Sequence, residues 1–87
     1  MSTTFHRQVQ FTRVLRAGER AREFNFLKMN NVASPAFHVD VADERGDRHI
    51  FYLYQEGEGW RLSGEHVPKW VADASDQICR AAAEAEL

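Results

Sequence analysis

Ile50-Phe51-Tyr52-Leu53-Tyr54 is apolar or aromatic at five consecutive positions. A strand covered on one side alternates apolar and polar residues, because successive side chains point to opposite faces. This stretch therefore asks for cover on both faces. In a chain of 87 residues, one helix and one sheet are about what a single core holds together, so the chain covers one face. The other face is the pointer to a partner or a ligand.

The neighbouring segments say which side chains go where. Residues 36–42 alternate cleanly, with Phe37, Val39 and Val41 on one side and His38 and Asp40 on the other. Glu44-Arg45-Gly46 suits a three-residue hairpin loop with glycine at the left-handed position. That loop pairs Val39 with Phe51 and Phe37 with Leu53 on the core face. It sets His38 opposite Tyr52 and Asp40 opposite Ile50 on the outer face. A two-residue Arg45-Gly46 loop would bring Val39 opposite Tyr52 and flip the whole strand. The longer loop is preferred, because a type I′ turn would force Arg45 to positive φ. Beyond Tyr54, Glu56-Gly57-Glu58-Gly59 forms the next hairpin. With Gly57-Glu58 as its turn, Leu53 meets Leu62 inside and Tyr54 meets Arg61 outside.

Two strands precede this hairpin and one helix follows it. Val9 and Phe11 share a face in residues 7–15, opposite Gln8, Gln10 and Thr12, and Ala17-Gly18-Glu19 turns the chain. Phe24 and Phe26 point inward from the second strand, with Asn25 and Leu27 outward. Asn30-Asn31 and Ser34-Pro35 mark a longer connection. After Gly64, Pro68 suits a first helical position, which leaves Val67 at the N-cap. Val67, Val71, Ala74, Ile78, Ala81 and Ala85 recur at spacings of four and three and define one helical face, flanked by Trp70 and Ala82. Asp73 and Asp76 come early in that helix and Arg80 later, as the helix dipole favours.

The expectation is an α+β fold: an antiparallel β-meander of about five strands with one C-terminal α-helix packed across one face. The single domain spans 1–87, with strands near 5–15, 22–29, 36–42, 48–55 and 60–63 and a helix near 68–85. A chain of this length buries about 65% of the surface its unfolded form exposes, so its stability is modest.

Charge is unevenly distributed. Residues 1–28 carry six basic and two acidic side chains, a balance of +4, and the remainder five basic and eleven acidic, a balance of −6. A basic third of this kind can meet phosphates; in a mildly acidic chain it is expected rather to meet the acidic remainder, in the same chain or in a second copy. One cysteine, Cys79, allows no internal disulfide and suits a reducing compartment. The first residues contain no apolar segment resembling a signal peptide, and no apolar run approaches a membrane span. A cytoplasmic location is expected.

Catalytic chemistry finds little support. Ser2, Ser34, Ser63 and Ser75 have no nucleophile-elbow context, and Glu56-Gly57-Glu58-Gly59 puts carboxylates where a phosphate loop needs bare backbone donors. His6, His38, His49 and His66 lie at no ligand spacing, and Cys79 is remote from them. His38 with Asp40 reads as a polar strand face rather than a metal site. His49 reads as a strand-edge residue, and Cys79 as a partly buried filler on the helix flank. No catalytic residue, metal or cofactor is expected.

The remaining constellation is the outer face: Leu27, His38, Ile50, Tyr52, Tyr54 and Arg61. Aromatic and aliphatic anchors with an arginine, ringed by Gln8, Gln10 and Asn25, have the composition of a protein interface. A twofold dimer stacking two sheets would solve the exposure problem. The expected function is a small non-enzymatic interaction module, homodimeric through this face or bound there to another protein. The alternative is a single-stranded nucleic-acid binder, in which Tyr52 and Tyr54 stack bases and Arg61 supports them. The order of meander and helix resembles the layout of the PC4 and Pur-type single-stranded-DNA-binding folds; no residue motif accompanies that layout. A weaker third option is a small-molecule pocket between sheet and helix, near Trp60 and Trp70.

Overall fold

The computed structural model describes residues 9–29, 35–63 and 66–85. Five antiparallel strands form one sheet in sequence order: β1 (Gln10–Ala17), β2 (Arg20–Met29), β3 (Ala36–Ala42), β4 (Arg48–Glu56) and β5 (Gly59–Ser63). Two helical segments follow, α1 (Lys69–Asp73) and α2 (Ser75–Ala85). The sheet is a curled meander with the helical segments on one face, as expected.

Three glycines set the turns. Gly18 and Gly57 take positive φ (73° and 61°), and each is the first central residue of a two-residue turn, where type II′ requires glycine. Gly46, at φ 86°, ends the three-residue loop after Asp43. The Asp43 carboxylate accepts the N–H groups of Arg45 (2.8 Å) and Asp47 (3.0 Å) and holds that loop closed. The resulting register is the expected one. Phe51 pairs with Val39, Tyr52 with His38, and Ile50 with Asp40; Leu53 pairs with Leu62 and Tyr54 with Arg61.

Several strand boundaries differ from the sequence reading, β4 and β5 by a single residue at their shared hairpin. The Gly18-Glu19 turn is tighter than Ala17-Gly18-Glu19, so pairing runs to Ala17–Arg20 and lengthens β1 and β2 at that end. Residues 5–8, assigned to the first strand by pattern, lie outside the described residues.

The core is aromatic. Phe24, Phe26, Phe37, Val39, Val41, Phe51 and Leu53 from the sheet are buried against Val71, Ala74, Ile78, Ala81 and Ala82. The Phe11 and Phe26 rings stack at 4.6 Å, and Phe37 meets Trp60 edge-on at 4.9 Å. Ala-rich α2 seats closely enough to reach both edge strands. Glu84 pairs with Arg13 of β1 (2.8 Å), Gln77 donates to the Arg16 carbonyl (3.1 Å), and α2 also packs along β5, where Cys79 and Leu62 line one groove. The edges of the curled sheet thus converge on one helix, which limits unwanted strand pairing there.

The helix departs from the sequence reading in two ways. Pro68 is the N-cap, not the first helical residue: its ψ of 156° is extended, and its carbonyl accepts the N–H groups of Val71 and Ala72. The fixed φ of proline suits either position, and the extended ψ decides between them. The single helix is also broken at Ala74, whose N–H bonds to the Val71 carbonyl in a tightened turn. The apolar stripe stays buried on both sides of the break. The dipole argument fails for Asp73, which ends α1 rather than opening a helix; it is held instead by Lys69 at 2.8 Å.

Candidate interaction face

Strand alternation puts all six expected residues on the face away from the helix. Leu27, His38 and Tyr52 form one row across β2, β3 and β4. Ile50 lies one step along β4, beside Asp40. Tyr54 lies one step the other way, between the small buried Ala36 and Arg61. The His38 ring meets Tyr52 edge-on at 5.4 Å, and Tyr52 and Tyr54 are 6.3 Å apart.

Exposure grades this cluster. Leu27, His38 and Tyr52 are half-buried among their neighbours. Ile50 at 55% and Tyr54 at 46% are, with Val14 on β1, the large hydrophobic side chains left exposed among the described residues. Apolar carbon facing water on both sides of Tyr52 is what a contact surface presents.

Two polar networks border the aromatic row. On one side Thr12 donates to Asn25 (2.7 Å), and Asn25 and Arg48 both donate to the same Asp40 oxygen (3.0 and 2.5 Å). On the other side Arg61 pairs with Glu56 at 3.1 Å, both largely exposed. Arg48 and Glu56, at opposite ends of β4, were missed as members of the face. The strand alternation that placed Tyr52 outward also places them outward. Among the described strand residues, the face carries Arg16, Arg48 and Arg61 against Glu23, Asp40 and Glu56, an even balance.

The helix-side residues have structural work. His49 points toward α1, not to a strand edge: it hydrogen-bonds Asp43 at 3.0 Å and meets Trp70 edge-on at 5.7 Å. That bond holds the Asp43 carboxyl below its ordinary range. The Arg22 guanidinium lies 4.0 Å over the Trp70 ring, donates to the Ala17 carbonyl, and bonds Glu44, whose carboxyl it also holds low. Burial, aided by the Asp76 charge, pushes the Cys79 thiol up and away from the thiolate a nucleophile needs.

Among the described residues, Trp60 and Trp70 lie at opposite ends of the strands and do not face one shared space. Trp60 borders a shallow groove of about 380 Å³ with Leu62, Val67 and Cys79. Trp70 sits at the other end of the strands, filled in by Arg22 and His49. Among the described residues, no group of three or more His, Cys, Asp or Glu side chains is arranged to hold a metal ion. Nor is any helix of these residues long and apolar enough to cross a membrane. Comparison of the chain with known protein families, with curated proteins and with solved structures finds no match.

Proposed function

We propose that this protein is a small non-enzymatic interaction module that self-associates as a homodimer through the outer face of its sheet. The observation that carries this reading is the exposed pair Ile50 and Tyr54 flanking Tyr52 on a face that, among the described residues, has no helix over it. Stacking a second sheet there removes apolar surface from water without rearranging the core. The even charge balance of the face supports a second copy as the partner, since a surface carrying both signs can complement itself. The lone, half-buried cysteine suits a reducing, cytoplasmic setting.

The same balance weighs against the single-stranded nucleic-acid reading. A base-stacking platform relies on a positive groove along the backbone, whereas Arg61 is shared with Glu56. Sedimentation across micromolar concentrations tests the proposal: the expected species has twice the 10.0 kDa mass of the chain. A monomer throughout, or saturable binding of a dT oligonucleotide at low salt, would overturn it in favour of the alternative or of neither.

A further inference from the structure

Resting on the self-association reading, we infer how the two copies are oriented. Their β4 strands cross antiparallel about a twofold axis at Tyr52, so that Arg48 of each copy faces Glu56 of the other. The outward residues of β4 run Arg48, Ile50, Tyr52, Tyr54, Glu56, which is cationic at the start, apolar through the middle and anionic at the end. Arg48 and Glu56 have 60% and 66% of their side chains exposed; each is held within its own copy by a surface ion pair, to Asp40 and to Arg61, weak enough to be shared with a facing sheet about 10 Å away.

Two twofold operations lay β4 along the β4 of a second copy with the strands aligned. An axis along the strand sets Arg48 over Arg48 and Glu56 over Glu56, opposing like charges at both ends. An axis across the strand sets Arg48 over Glu56 twice. It also lays Tyr54 over Ile50 of the second copy, so the two most exposed apolar side chains of the strand bury each other. Charge and apolar cover therefore select the same arrangement, and like-charge repulsion disfavours the other.

Two charge-reversed variants test the orientation. Alone, Arg48→Glu opposes carboxylates and Glu56→Arg opposes guanidiniums, so each should self-associate about tenfold or more weakly than wild type at low salt. Mixed one to one, the two variants restore opposite charges at both contacts, and the mixed dimer should recover to within about threefold of wild type. High salt should shrink the difference. Circular dichroism melts establish that each variant is folded.

A second arm avoids placing a new carboxylate beside Asp40. On a Cys79→Ser background, Arg48→Cys and Glu56→Cys are treated with a short bismaleimide spanning about 10 Å. Crosslinks should form in the mixture and not in either variant alone, because like positions lie about 26 Å apart along the strands, four residues either side of the axis. Crosslinking of each variant alone, or a mixture no better than its components while wild type dimerises, overturns the orientation and leaves the face reading standing. A monomeric wild type removes both.

Discussion

The Arg22 guanidinium stacks 4.0 Å over the Trp70 ring, joining β2 to α1 across 48 positions of sequence. The Arg22 side chain is only 9% exposed, and its other donors reach the Ala17 carbonyl and Glu44. Trp70 is thereby held against the β1–β2 turn, the start of β4 and the β3–β4 loop together. Because α1 is a short segment cut from α2 at Ala74, this contact and Val71 are what seat it.

Trp70→Ala is therefore expected to cost about 2–4 kcal/mol, as for a large aromatic that loses most of its packing. Arg22→Lys keeps the charge but loses the planar stack and the fork of donors, at about 1 kcal/mol. Urea denaturation of both single variants and the double variant should give a coupling of about 1 kcal/mol. Strict additivity would mean that the stack contributes nothing.

Gly18→Ala and Gly46→Ala should differ in a stated order. Both glycines have positive φ, which costs an L-residue about 1–2 kcal/mol. A Cβ at Gly18 would also lie 3.3 Å from the Trp70 Cβ, while one at Gly46 meets nothing within 4 Å. The Gly18 variant is expected to melt lower. Equal melting temperatures would show that Trp70 yields freely.

Acid should weaken the fold through the β3–β4 loop. Asp43 is held below its ordinary 3.8 by its bond with His49, and Glu44 below its ordinary 4.5 by Arg22. Depressed carboxylates contribute stability above their unfolded values, and that stability is lost as pH falls through the folded ones. The decline should begin near pH 4.5 and steepen below it. Asp43→Asn and Glu44→Gln should each flatten the acid limb of a melting-temperature profile; unchanged slopes would remove these two groups from the account.

Cys79 should be slow to alkylate. Its thiol is raised above the ordinary 9.0 by burial and by Asp76. The folded state therefore holds its proton longer than the unfolded chain, and stability contributed by this group is lost as pH rises past about 9. Iodoacetamide at pH 8 should react much faster with urea-unfolded protein than with native protein. Equal rates would mean that the thiol is open.

Tyr52 and Phe51, neighbours on opposite faces of β4, separate interface from core. Phe51→Ala should cost about 3–5 kcal/mol, because the ring is 2% exposed inside the aromatic core. Tyr52→Glu should leave the monomer folded and abolish its self-association. If Tyr52→Glu unfolds the domain while Phe51→Ala does not, the faces are exchanged.

Much of this fold is legible in the chain because its instructions are local. Turn length dictates register, and the register decides which way each residue of β4 points. The run Ile50–Tyr54 could not announce its own register, being apolar on both faces, and Gly46 fits two loop lengths; the cost of a positive φ at Arg45 favours the longer loop, which the structure has. The same alternation located the outer cluster; Arg48 and Glu56 at its ends are charged and carry no apolar signal that marks them as part of it.

What the tertiary structure alone decided are the relationships between segments far apart in sequence. The periodic stripe from Val71 to Ala81 carries no sign of the break at Ala74, because the apolar face continues through it. Nothing around His49 or Trp70 reveals that they meet each other and Arg22, and no sequence spacing reveals that α2 reaches both Arg16 and Leu62 at the two sheet edges. Backbone sterics and side-chain alternation act over a few residues and can be read along the chain. The choice of partners across the curled sheet depends on how the whole core fills, and that is settled only when the elements pack.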